Sequence, residues 1–268
     1  MKQVSITLVP IGGLCNRMRA MASGVSMAEH LDGTITVCWE KNKDCLADFG
    51  ELFLPVDIER VNVKSFGRSD WYLRFSRKRN LYVPGLVRSM LFDSQLTGTA
   101  ERFDDAVYEQ VKGQKIYAIS GYSLTRHFPL TELFRPVPEL QTRINWLKSQ
   151  FDSHVIGIHI RRGDNLQSIK RNSVDDYVRF METELIERPK TRFYLATDSP
   201  EIKQQLTARF LDRIIAIDAV LDRNALQGMK DAVVDLWCLA SCNRLAGSYY
   251  SSYSELAAEM GGIELTIL

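Results

Sequence analysis

The densest cluster of reactive side chains in this sequence is His159, Arg161, Arg162 and Asp164, in the stretch His-Ile-Arg-Arg-Gly-Asp. Two adjacent guanidinium groups offer forked N–H donors that match phosphate oxygens, so the pair points to an anion. The competing reading pairs one arginine with Asp164 in a structural ion bridge and leaves the other in water. A second set lies downstream: Asp198 in Thr-Asp-Ser-Pro, and Ser251, Ser252 and Ser254 in a serine-rich turn. Alone, such a turn reads as loop and capping. Hydroxyls and backbone N–H groups at a helix start, combined with arginines, make a phosphate site. Near the N-terminus, Gly12 and Gly13 are followed by Asn16 and Arg17. A glycine turn between strand and helix brings backbone N–H groups to a phosphate, and tight packing explains the glycines equally well.

The elements that must position these residues follow from hydrophobic patterning. Residues 155–160 form a short apolar, β-branched run, the pattern of a strand buried on both faces of a parallel sheet. In such sheets ligands sit beyond the carboxyl ends of the strands, which is where the arginines fall. That placement favours the anion reading. Residues 4–9 read as a first strand leading through the glycine turn into a helix over 17–31. Further strands are expected at 34–39, 56–63 and 115–120, and a short helix at 44–53. Pro136 and Pro138 open a helix reaching about residue 150, with proline near its first position. There the pattern restarts. Ser173 caps a helix to 187 with Asp175 and Asp176 in its first turn. Strands at 192–197, 214–217 and 245–247 alternate with helices at 201–210, 227–241 and 255–260, the last stopping at Gly261-Gly262. The expectation is two successive α/β domains, residues 1–135 and 136–268.

Composition narrows the partners. The chain has 268 residues, 45% apolar and 25% charged, with a formal net charge of +1, so anion recognition must be local rather than global. No apolar run approaches the ~18 residues of a membrane span. The N-terminus lacks a signal-peptide pattern, and the odd set of five cysteines has no paired metal spacing. Reduced thiols and a cytoplasmic location are expected. Residues 64–88 carry seven basic residues against one acid, Asp70, interleaved with Phe66, Trp71, Tyr72, Phe75 and Tyr82. Such a segment suits an anionic or glycan acceptor, a membrane surface or RNA. It equally suits a solvated helix and loop whose aromatics pack on a core. No nucleic-acid-binding motif is present, so nucleic acid is not an expected partner.

The motifs in sequence order resemble those of the GDP-fucose-dependent fucosyltransferases, the α-1,2, α-1,6, nodulation-type and protein O-fucosyl groups. His-Ile-Arg-Arg-Gly-Asp resembles their His-x-Arg-Arg-x-Asp signature, and residues 12–17 are similar to their Gly-Gly-Leu-Gly-Asn-Gln turn. Residues 120–128 resemble the Gly-Tyr-x-Gln-Ser-x-Lys-Tyr-Phe stretch of the α-1,2 group. Ala196-Thr197-Asp198 and Ser251-Ser252-Tyr253-Ser254 resemble the two remaining C-terminal motifs.

The resemblance implies a GT-B-like fold: two Rossmann-like domains facing a cleft, an N-terminal acceptor side and a C-terminal GDP-sugar side. It implies that Arg161 binds the β-phosphate, that His159 shapes its loop, and that Asp235 reads guanine. Ser252 and Ser254 would sit near the phosphates, with Asn16 reaching across from the first domain. The implied reaction is inverting transfer of fucose from GDP-fucose to a glycan or glycolipid hydroxyl, at the inner membrane face if the acceptor is lipid-linked. No cofactor is implied, and no Asp-x-Asp pair is present to hold a metal. Arg161 would take the metal's place by stabilising the leaving diphosphate. Alternatives are a transferase using another GDP-sugar and a nucleotide-sugar-binding protein without turnover. Cys15 and Arg17 depart from the family turn, and Glu255-Leu256 replace paired tryptophans. The α-1,6 group's proposed basic glutamate has no counterpart, which leaves Asp164 as a candidate base. Pairing with a neighbouring arginine would weaken it in that role.

Overall fold

A computed structural model describes residues 3–74, 82–98, 108, 111, 113–162, 173–218, 222 and 224–268. The chain divides into two compact units, Met1–Val137 and Pro138–Leu268. Each is an α/β layer structure around a five-stranded parallel sheet.

In the first unit β1 (Ser5–Pro10), α1 (Leu14–His30), β2 (Thr34–Trp39), α2 (Phe49–Leu52) and β3 (Val61–Ser65) lead to a 3-10 turn at Arg68–Leu73. They are followed by α3 (Tyr82–Leu91), β4 (Ser94–Gly98), β5 (Lys115–Ser120) and α4 (Leu130–Leu133). The strand order is β3-β2-β1-β5-β4, with every pairing parallel. β1 is central because its alternate residues Ile6 and Leu8 and the neighbouring Val9 are covered, each 2% exposed or less. Burying an aliphatic side chain of this size contributes ~1.5–3 kcal/mol, which is why the apolar run takes the middle of the sheet.

The second unit comprises α5 (Pro138–Lys148), β6 (Val155–Ile160), α6 (Val174–Glu187), β7 (Arg192–Thr197), α7 (Pro200–Phe210) and β8 (Ile214–Ile215). It continues with α8 (Leu226–Leu239), β9 (Arg244–Gly247), α9 (Ser252–Gly261) and β10 (Glu264–Ile267). The strand order is β10-β9-β6-β7-β8, again all parallel. All six residues of β6 are buried, and its outward-pointing isoleucines meet Tyr177, Met181 and Leu206 from the covering helices. Ser173 caps α6, its hydroxyl accepting the Asp176 N–H at 3.2 Å. Ser199 caps α7, with Pro200 at the first helical position.

Three sequence expectations differ. The helix expected over 44–53 is reduced to α2, because the Asn42 side chain accepts the Asp44 N–H at 3.0 Å and residues 42 and 45 form an isolated bridge. The strand expected from residue 56 begins at Val61, after a turn closed by Val61 N–H to Ile58 O. α3, β4 and β10 were not anticipated. β4 and β10 are short edge strands whose pairing partners, β5 and β9, supply the stability their own sequences lack.

Candidate functional site

In the second unit β6 is the first strand laid down, β7 and β8 add on one side, and β9 returns to the other. The gap between β6 and β9 is therefore the topological switch point, the place where loops part at the carboxyl edge of a parallel sheet and a ligand can enter. Register places the exits of β6, β7 and β9 together, with Ile160 opposite Thr197 and Ile158 opposite Ala246.

Those exits are tied by a network centred on Ser248. Its hydroxyl accepts the Arg161 backbone N–H at 2.8 Å and donates to His159 O at 3.2 Å. The Tyr177 hydroxyl lies 2.8 Å away and completes the set as the second donor. One donor proton and two lone pairs are thus all used, on a residue 1% exposed. Asp198, at the end of β7, accepts the Arg162 N–H at 2.7 Å through one oxygen and faces Arg161 Nε at 3.3 Å through the other. Sequence reasoning placed Asp198 among the nucleotide ligands. In the structure its carboxylate holds the arginine turn. Arg161 and Arg162 are half-buried at this edge.

His159 lies one residue inside the strand and is 5% exposed. Its Nδ1 is 2.7 Å from Ser254 Oγ, and its ring stacks on Tyr253 at 4.8 Å between centroids. Burial, then the nearby Arg161 charge, push its pKa from 6.5 down to about 3, so the imidazole is neutral and a poor proton acceptor. Tyr253 in turn donates its hydroxyl to Ala232 O, joining α9 to α8. Ser251 stands at the N-cap of α9, with Ser252 the first helical residue. Ser254 is fully buried, and its contact with His159 makes it a support for the strand end.

Asp235, expected to read guanine, is 1% exposed on α8 and accepts the Tyr194 hydroxyl at 2.5 Å. Burial raises its pKa from 3.8 to about 7, against the lowering effect of that bond. The structure thus places this carboxylate inside the unit, against β7. One turn earlier, Asp231 is held by Arg143 at 2.6 Å and Gln227 at 2.9 Å. Asp164 lies outside the described residues.

In the first unit Gly12 has φ +84°, the left-handed region, and an added Cβ there would lie 3.1 Å from Asn16 Nδ2. Asn16 thus sits over the turn, half-buried in the first turn of α1, and Gly13 precedes that helix as its N-cap. Arg17 is wholly buried. Its Nε donates to Gly12 O at 2.7 Å, Nη2 to Asn42 Oδ1 at 2.8 Å and Nη1 to Glu40 O, with the guanidinium 5.4 Å from the Trp39 ring centre. The arginine that departs from the family turn is an internal brace.

Sequence reasoning gave no role to Ser248, Tyr177, Tyr194 or Tyr253. Ser248 lies three residues ahead of Ser251 on the same loop, but the tyrosines lie on separate elements, and only topology brings them together. Among the described residues, no group of three or more His, Cys, Asp or Glu side chains is arranged to hold a metal ion.

No protein-family model matches the chain, and no curated protein matches it in sequence. Solved structures match it in fold. The Bradyrhizobium fucosyltransferase NodZ aligns with a TM-score of 0.65 at 18% identity, over 96% of this chain and 92% of that one. The fold is that of the solved fucosyltransferases. Arabidopsis thaliana FUT1, in a complex with GDP, aligns with a TM-score of 0.63 at 16% identity, over 100% of this chain and 70% of its own. POFUT1 in complex with GDP aligns at 0.57 and 9% identity, over 99% of each chain. Two Rossmann-like parallel α/β units in succession, the GT-B-like arrangement, are what the chain shares with this fucosyltransferase fold.

Proposed function

We propose that the chain is a glycosyltransferase that moves fucose from GDP-fucose to a glycan hydroxyl with inversion and without a metal. The observation that carries this reading is Arg161 at the β6/β9 switch point, its backbone held by Ser248 and its side chain by Asp198. A guanidinium fixed before the ligand arrives needs little reorganisation as the sugar–phosphate bond breaks. Negative charge then grows on the leaving diphosphate, and the arginine's attraction grows with it, which favours the transition state over the ground state. Arg162, Ser251 and Ser252 are assigned to the same diphosphate, with the start of α9 contributing backbone N–H groups. The fold likeness adds support, since NodZ has been soaked with GDP-fucose and crystallised with GDP.

The reading keeps Gly12, Gly13 and Asn16 as candidate site residues of the first unit and Asp164 as the candidate base. His159 is buried against Ser254 and Tyr253, and its lowered pKa makes it a weak proton acceptor. We place the reaction in the cytoplasm, consistent with the buried thiols of all five cysteines. No helix among the described residues is long and apolar enough to cross a membrane.

Thermal unfolding in a nucleotide panel tests the donor, because a ligand of the native state raises apparent stability by RT ln(1 + [L]/Kd). GDP should stabilise the protein more than UDP, ADP or CDP, and Arg161→Ala should remove both that effect and turnover of GDP-fucose. An Arg161→Ala protein with unchanged GDP affinity and turnover would overturn the proposal. GDP-fucose binding without GDP release in the presence of a broad acceptor pool would leave a nucleotide-sugar-binding protein.

A further inference from the structure

β9 leaves the sheet at Gly247, and α9 takes Ser251 as its N-cap. The link between them is Ser248-Tyr249-Tyr250. Its first residue is pinned, since Ser248 is 1% exposed and its hydroxyl accepts the Arg161 N–H. Its last residue is strained. Tyr250 has φ +53°, the left-handed region, where an L side chain crowds its own backbone and glycine or asparagine is the ordinary occupant. Gly262, at φ +59° behind α9, shows that ordinary solution. Leu211 also has a positive φ, but it follows α7 directly before β8, at the amino edge of the sheet. Tyr250 lies at the carboxyl edge, beside the switch point. Location separates the two.

The strained residue carries a large ring that the core does not enclose. Tyr250 is 48% exposed, and its ring lies 6.2 Å from that of half-buried Tyr249, tilted by 34°. Ser248 on one side holds the Arg161 loop, and Ser251 on the other is assigned to the diphosphate. In a nucleotide sugar the hexose is bonded to the β-phosphate, so side chains bordering that phosphate are within reach of the hexose. Arg161, Arg162, Ser251 and Ser252 offer donors suited to phosphate. A 6-deoxyhexose also presents a methyl group and a face of C–H bonds, and an aromatic ring with a hydroxyl tip matches both its apolar and its polar sides. Backbone strain held at a ligand edge is a device for fixing a side chain before the ligand arrives.

We propose that Tyr250 is a specificity-determining residue for the donor, laying its ring against the apolar face of the 6-deoxyhexose. This rests on the GDP-fucose reading and adds the side chain that recognises the sugar.

The test is titration calorimetry of the full chain, without acceptor, using GDP and GDP-fucose as the two probes. The readout is the ratio of GDP-fucose affinity to GDP affinity, because damage to the loop as a whole lowers both together. Tyr250→Asn removes the ring with a residue that tolerates the left-handed region. It is expected to lower the ratio about tenfold, the scale of one lost apolar contact in a binding pocket, with no fall in the urea midpoint. Tyr250→Phe keeps the ring and is expected to recover most of the difference. An unchanged ratio in Tyr250→Asn, or a parallel fall in both affinities, would overturn the proposal. A loss in Tyr250→Phe equal to that in Tyr250→Asn would overturn the ring contact as well. The two readings fail differently: a native chain that does not bind GDP removes the donor site and this inference with it, whereas GDP binding with an unchanged ratio removes this inference alone.

Discussion

Replacing Asp235 with asparagine is expected to remove a loss of stability that the native chain suffers as pH rises from about 4 to about 7. In the folded protein burial holds the Asp235 proton up to about 7, whereas the ordinary value is 3.8. Between those values the folded state binds more protons than the unfolded chain. The group's contribution is therefore fully present below 3.8 and is lost as pH rises through 7. A tenfold change in proton affinity is worth ~1.4 kcal/mol, so the interval corresponds to roughly 4 kcal/mol. Local relaxation around a buried charge makes ~2–4 kcal/mol the expected size. Asparagine keeps the shape and still accepts the Tyr194 hydroxyl, but it cannot ionise. Urea unfolding from pH 4 to pH 8.5 measures the difference, read from midpoints at constant m-value. His159 works in the opposite sense, because its folded pKa of about 3 lies below 6.5 and its contribution is lost as pH falls below 6.5. It is present in both proteins and cancels from the comparison. Parallel stability curves for the native and Asp235→Asn proteins would refute the interior-acid account. GDP affinity gives the second arm. A loss confined to GDP, with ADP and UDP unchanged, would support the guanine-reading role that the resemblance implies.

Two further outcomes follow from the same network reasoning. Ser248→Ala leaves the Arg161 N–H, the Tyr177 hydroxyl and His159 O short of a partner, so it should cost ~1–3 kcal/mol in stability. It should also weaken GDP binding more than Tyr177→Phe does, as titration calorimetry would show, and equal GDP affinity in all three proteins would refute the positioning role. Gly12→Ala forces an L side chain into φ +84° against Asn16, with an expected loss of ~1–2 kcal/mol in chemical unfolding; an unchanged midpoint would show that the turn can rearrange.

The second unit was more legible in sequence than the first, for a local reason. The run from Val155 to Ile160 is uniformly apolar and ends in charge, so strand, burial and edge chemistry are written in adjacent residues. Ser173 and Asp176, or Ser199 and Pro200, mark helix starts through bonds spanning three residues or through a fixed proline φ. Edge strands β4 and β10 carry no such mark, because their stability comes from β5 and β9. The helix expected over residues 44–53 failed for a related reason: Asn42 turns the backbone by accepting the Asp44 N–H and is itself gripped by Arg17, twenty-five positions earlier in the chain.

The sequence by itself determined that two parallel α/β units follow one another and that His159, Arg161 and Arg162 emerge from the end of a buried strand. It did so because strand burial and turn chemistry depend on neighbours along the chain. Tertiary structure alone decided how those residues are used. Asp198 became the clamp on the arginine turn, Ser248 its anchor, Arg17 a buried brace and Asp235 an interior acid. Each of those roles is fixed by a partner 5 to 87 positions away. The order in which strands join a sheet sets such meetings, and no local pattern records that order.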